Sequence, residues 1–136
     1  MSSTHRSSLC IVVADDNQDA AQALSMLLDR LGFHVVETAY DGATALECIC
    51  QRKPDVAILD IALPDLDGYE VARLAREELS TPPRLVAITG LGSPTDRTDA
   101  LEAGFDAHFV KPVDSRQLES LLLSFLPALS YIFLLC

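Results

Sequence analysis

The sequence predicts an α/β fold: one doubly wound, five-stranded parallel sheet with helices on both faces. Three observations predict it. Five short apolar runs, near residues 9–14, 33–37, 56–59, 84–89 and 107–110, alternate with five stretches of helical period. The runs are close to continuous and bounded by turn signals, as strands buried on both faces are. The connections are short, and parallel neighbours joined by helices need right-handed crossovers. With 136 residues, the chain suits one domain with a sizeable core, expected over residues 9–126.

Each element has its own signals. Residues 9–14 form an apolar run that ends in Asp15 and Asp16. From Asn17 the period becomes helical, with Ala21, Leu24, Leu27, Leu28 and Leu31 on one face and Gly32 as the stop. A short second strand spans residues 33–37. Asp41 caps a helix through Cys50 that must end before Pro54. The third run, Val56 to Leu59, stops abruptly at Asp60, and a turn with Pro64, Asp65, Asp67 and Gly68 follows. Asp67 and Glu70 stand in capping-box spacing for a helix to about Glu78. Pro82 and Pro83 make a loop before the fourth strand, residues 84–89, which ends in Thr89. Ser93 and Pro94 read as an N-cap and first helical residue, and Gly104 closes that helix. Residues 107–110 make the fifth strand, followed by Lys111 and Pro112. Asp114 and Gln117 cap a last helix with an apolar face of Leu118, Leu121, Leu122 and Phe125.

The ends fit this plan less well. Residues 1–8 are polar, lack the apolar centre of a signal peptide and are expected to be disordered. Residues 127–136 follow Pro127 and are apolar but too short to span a bilayer, which takes roughly 20 apolar residues. They read as a helix extension, a loose end or a consequence of the gene boundary. A sharper reading is an apolar contact surface for a partner subunit, with a homodimer through the last helix and tail.

Composition excludes several classes of function. Hydrophobic residues make up 49% of the chain, against disorder. The 20 acidic and 10 basic residues, a formal charge of −10, argue against a nucleic-acid surface, which needs a basic patch. Cys48 and Cys50 lie two apart, not in C-x-x-C spacing, and with Cys10 and Cys136 read as ordinary thiols of a reducing cytoplasm.

In a parallel sheet all strands point one way, so Asp15, Asp16, Asp60, Thr89 and Lys111 converge on one edge, where open α/β sheets bind ligands. Three crowded carboxylates repel unless cations neutralise them. Against one lysine and one divalent cation their charges sum to zero. Carboxylate oxygens are hard ligands, so the cation would be magnesium or manganese rather than zinc. Such a site suits phosphoryl transfer. Asp60 would attack in line and form an acyl phosphate, the metal and Lys111 would neutralise phosphoryl oxygens, and Thr89 would donate a hydrogen bond. Gly90 would leave backbone room for those oxygens.

Asp15-Asp16, Asp60 with Leu63-Pro64 and Asp67-Gly68, Thr89-Gly90 and Lys111-Pro112, in this order, resemble the receiver domain of two-component response regulators. The resemblance covers residues 9–126 and implies a flavodoxin-like (βα)5 fold. It implies phosphorylation of Asp60 by a phosphohistidine on a sensor histidine kinase or a histidine phosphotransfer protein. Asp16, Asp60 and the backbone carbonyl of Ala62 would hold magnesium directly, and Asp15 through water. Lys111 would contact the phosphoryl group, Thr89 would move toward it, and the Lys111–Pro112 bond would be cis. The run from Gly104 to Asp114 looks most like receivers attached to hybrid sensor kinases. One position departs from the pattern. Three residues before Lys111 the family often has Tyr or Phe, which swings inward with the threonine; this chain has His108, whose smaller ring can still rotate and fill part of that space.

Other readings compete. Asp15 and Asp16 alone could be acids favourable to a helix dipole, but with Asp60 and Lys111 they read as a site. A phosphatase with a strand-end Asp nucleophile wants a second Asp two residues on, where this chain has Ala62. A flavodoxin-like flavin binder needs a hydroxyl-rich phosphate loop, and Asp15-Asp16 would repel the cofactor phosphate. A phosphorylation-independent interaction module would not need the complete acidic set. The reading is therefore a signalling module that catalyses only its own phosphorylation and dephosphorylation and turns over no external substrate.

Overall fold

The computed structural model of the chain describes residues 9–90 and 97–126. Strands β1 (Cys10–Ala14), β2 (His34–Ala39), β3 (Val56–Asp60), β4 (Arg84–Thr89) and β5 (Ala107–Val110) alternate with helices α1 (Gln18–Arg30), α2 (Gly42–Arg52), α3 (Gly68–Glu78), α4 (Arg97–Ala103) and α5 (Ser115–Ser124). The strands form one sheet in the order β2-β1-β3-β4-β5, and every pairing is parallel. This is the doubly wound architecture expected from the apolar runs.

Strand alternation divides the apolar residues between two cores. Val12, Ala14, Ala57, Leu59, Leu85 and Ala87 face α2, α3 and α4, where they meet Ile49, Val71, Ala75 and Ala100. Ile11, Val13, Val56, Ile58, Val86 and Ile88 face α1 and α5, where they meet Leu28, Leu118 and Leu122. The α1 stripe is as expected, with Ala21 and Leu28 fully buried and Leu24, Leu27 and Leu31 packed partly against them.

Side chains cap the helix starts, those of Asp41, Asp67 and Asp114 as expected and that of Asn17 without having been singled out. Asn17 accepts from the Ala20 N–H, Asp41 from the Thr44 N–H and Asp114 from the N–H groups of Arg116 and Gln117. Asp67 and Glu70 form a reciprocal capping box. The start expected at Ser93 and Pro94 lies outside the described residues, as do both chain ends, 1–8 and 127–136.

Strand β2 and helix α2 end differently from expectation. β2 begins at His34 and runs two residues past Glu37, because Thr38 and Ala39 continue the ladder with Val13 and Ala14 after a register shift near Ile11. Phe33 instead sits before the strand, fully buried, with its N–H on the Leu28 carbonyl. Helix α2 continues to Arg52 and is closed by Lys53 in the left-handed region, at φ 48°, whose N–H bonds the Ile49 carbonyl. Neither extension has a local apolar signal, since pairing and capping do not require one.

Asp106 fastens the edge strand: its carboxylate accepts from the Leu85 N–H at 2.7 Å and lies beside Arg84 and Arg76. Among the described residues, no helix is long and apolar enough to cross a membrane.

Candidate functional site

The strand order places the site. From β1 the chain winds outward to β2, then returns to β3 and winds the other way, so the topological switch lies between β1 and β3. Ala14 pairs with Leu59, which sets Asp15 beside Asp60 at the C-terminal end of these two central strands. Asp15, Asp60 and Thr89 are the buried polar side chains there, with 7%, 6% and 2% of their surface exposed, whereas Asp16 is open to solvent.

Lys111 reaches across from beyond β5. Its Nζ donates to Asp15 Oδ2 at 2.8 Å and to Asp60 Oδ2 at 2.9 Å. The other oxygens of these carboxylates are held by backbone: Asp15 Oδ1 accepts from the Asn17 N–H and Asp60 Oδ1 from the Ala62 N–H, each at 2.9 Å. Partial burial alone would pull the Lys111 ammonium toward neutrality, but the hydrogen bonds and charges of Asp15 and Asp60 outweigh it and raise its pKa above the usual lysine value. Lys111 therefore keeps its charge throughout the neutral and mildly alkaline range.

One oxygen from each of Asp15, Asp16 and Asp60 lies within 4.8 Å of the others. Three carboxylates and one ammonium leave two negative charges, which one divalent cation balances. The donor set is oxygen throughout, which fits a hard cation such as magnesium. Ala62 lies exposed two residues beyond Asp60, on the loop that also bonds its carboxylate.

The loop between β3 and α3 is held by contacts that no motif announced. Gly42 N–H bonds the Pro64 carbonyl, and a Cβ on Gly42 would fall on the Leu66 carbonyl. Gly68 packs so closely that a Cβ would stand 2.8 Å from both the Asp60 carbonyl oxygen and Ile61 Cα. Asp65 takes φ 70°, a left-handed turn conformation that Asp tolerates better than most residues. At Gly90 a Cβ would meet nothing within 4 Å among the described residues. The Lys111–Pro112 peptide is cis.

His108, half-buried on β5, points its Nε2 to Thr89 Oγ1 at 3.1 Å. No motif in the sequence points to this hydrogen bond. Also unforeseen was Asn17, which bonds Asp15 through its backbone while its side chain caps α1. An apolar hollow beside Lys111 is lined by Leu24 and Leu27 of α1 with Ile88, Pro112 and Val113.

Comparison with known proteins shows the family and the fold. The family described as the response regulator receiver domain matches residues 11–123. A Guillardia theta protein named as the transcriptional regulator ycf27 is 39% identical over 110 residues, covering 81% of this chain and 42% of that protein. Its namesake in Cyanophora paradoxa is 37% identical over 116 residues, covering 85% and 47%. The chain thus spans under half the length of these curated relatives. Among solved structures, the signal receiver domain of the Mycobacterium tuberculosis response regulator NarL superposes with a TM-score of 0.78 at 30% identity, over 86% of this chain and 94% of that one. The receiver domain of a Pseudomonas aeruginosa sensor histidine kinase, solved with magnesium coordinated in its active-site cleft, superposes with a TM-score of 0.77 at 27% identity, over 88% and 98%.

Proposed function

Because this chain belongs to the response regulator receiver family, we propose that it accepts a phosphoryl group on Asp60, with magnesium, and passes on a signal by changing conformation. The observation that carries this reading is the Lys111 ammonium bridging Asp15 and Asp60 inside a cluster of three carboxylates at the switch point of the sheet.

Asp16, Asp60 and the carbonyl of Ala62 would hold the cation, with Asp15 through water, and the cation supplies charge neutralisation for the incoming phosphoryl oxygens. Asp60 keeps one oxygen on the Ala62 N–H and presents the other toward Lys111. That oxygen forms the new bond to phosphorus as the bond to the donor's imidazole nitrogen breaks, and the nitrogen retains the electron pair. Lys111 stays charged and offers its ammonium to the transferred group. Thr89 turns its hydroxyl proton toward a phosphoryl oxygen.

The donor would be a phosphohistidine of a sensor histidine kinase or a phosphotransfer protein, in the cytoplasm. The apolar hollow between α1 and the turn after β5 lies against Lys111, where a protein donor would rest. The relative named as a transcriptional regulator and the neighbour drawn from a sensor kinase bracket the settings in which such a domain would act.

The test is intact-mass spectrometry after incubation with magnesium and acetyl phosphate. One phosphoryl adduct is expected on the native chain, none after Asp60→Asn, and little without magnesium. An unmodified native chain, or equal labelling of the Asn variant, would refute the proposal.

A further inference from the structure

Thr89 and His108 share the sheet face that looks toward α4. Ala87 pairs with His108 and Thr89 with Val110, so the two side chains are diagonal neighbours on adjacent strands. Thr89 is almost wholly buried, and its Oγ1 lies 3.1 Å from His108 Nε2. A hydroxyl has a single proton to donate but two lone pairs with which to accept. In the resting protein that proton can go to the imidazole. Once Thr89 donates to a phosphoryl oxygen, the contact with His108 survives only if the ring nitrogen carries hydrogen.

We infer that His108 is a positioning residue for Thr89: hydrogen on its Nε2 holds the Thr89 oxygen while the hydroxyl proton serves the phosphoryl group. Phosphorylation thereby selects the ring form with hydrogen on Nε2. This rests on the proposed phosphorylation of Asp60. A phenylalanine at this position has no donor to offer, so the relay in this chain depends on the imidazole nitrogen. The neutral ring reaches the required form by losing hydrogen from Nδ1 and taking one up on Nε2 through exchange with water, with no change in net charge.

Most of the charged groups around the ring are engaged elsewhere. Asp106 is engaged with the Leu85 N–H, Arg84 and Arg76. Arg116 of α5 lines the same groove as His108. Lys111 is committed to Asp15 and Asp60, and Asp99 and Glu102 of α4 line a separate cleft with Tyr69 and Arg73.

The test reads the ring nitrogens of the 15N-labelled chain by long-range proton–nitrogen spectra, with and without magnesium and beryllium fluoride as the phosphoryl mimic. The His108→Gln spectrum assigns the signals. At alkaline pH, where a free imidazole is neutral, Nε2 is expected to carry hydrogen in the loaded protein. An unprotonated Nε2 there would overturn the inference. In a second arm, His108→Gln, whose amide can donate from the same place, should hold beryllium fluoride nearly as the native chain does. His108→Ala should weaken it about fivefold, the worth of one ordinary hydrogen bond. Equal weakening in both variants would also overturn the inference. If the native chain neither binds the mimic nor takes label from acetyl phosphate, the phosphorylation reading fails and the inference fails with it. A labelled chain with an unprotonated Nε2 removes the inference alone.

Discussion

Asp41 carries a structural charge that can be titrated. Its carboxylate caps α2 through the Thr44 N–H at 2.6 Å and the Thr44 hydroxyl at 3.0 Å, and these hydrogen bonds hold its pKa below the usual aspartate value. A lowered native pKa means stability that is present above the unfolded-state pKa and is lost as pH falls through the native one. Asp41→Ala is expected to cost about 1 kcal/mol near neutral pH. That difference should shrink below the ordinary carboxylate range, as urea titrations at several pH values would reveal. Asp41→Asn, which still caps, should lose much less. Cys48 and Cys50 offer a second check. Burial pushes both thiols above the normal cysteine value, with Glu37 adding to the effect at Cys48 and Glu78 at Cys50. Both should react with iodoacetamide more slowly than free cysteine at pH near 8, because the thiolate is the nucleophile.

At the scale of elements, the turns around α2 and α3 carry the informative strain. Lys53 closes α2 at φ 48° and ψ 59°, a conformation that helices ending this way usually give to glycine. Lys53→Gly should therefore raise stability by roughly 0.5–1 kcal/mol, the left-handed penalty less glycine's greater unfolded-state freedom. A denaturation midpoint that falls instead would mean that Lys53 makes an interaction of its own. Gly68 works in the opposite sense. Its first helical turn rests on the backbone of Asp60 and Ile61, so Gly68→Ala must push α3 off the end of β3. The expected loss is about 1–3 kcal/mol, as for overpacking of a well-filled site. Acetyl phosphate labelling should slow with it, because the displaced loop includes the Ala62 N–H that orients Asp60.

For the whole molecule, β1, β3 and β4 each contribute side chains to both cores, so neither face can come apart alone. Unfolding should be one cooperative transition, with far-UV and tyrosine near-UV signals coincident. Leu59→Ala or Ile58→Ala, on opposite faces, should each cost about 2–5 kcal/mol while keeping that coincidence. Magnesium should stabilise the entire fold, since a ligand that binds only the native chain adds about 2.7 kcal/mol at a hundred times its dissociation constant. The melting temperature should rise with magnesium and return with a chelator. Asp16→Asn, which removes the exposed carboxylate charge of the cluster and no core contact, should abolish most of the rise.

Local chemistry accounts for what the sequence alone determined. Apolar run length marked the strands, cap residues marked helix starts, and a shared strand direction brought Asp15, Asp16, Asp60, Thr89 and Lys111 to one edge. Each of these follows from a periodicity of two or 3.6 residues, or from a side chain bonding its own backbone within a few positions. Tertiary structure decided the rest. The last two residues of β2 are strand only because β1 lies beside them, and the needs of Gly42 and Gly68 arise from backbone that approaches from elsewhere in the chain. The Thr89–His108 bond joins residues nineteen positions apart, through a strand register that no local pattern encodes. Residue types could name the groups of this site, but only the packing of distant segments could set which atom faces which.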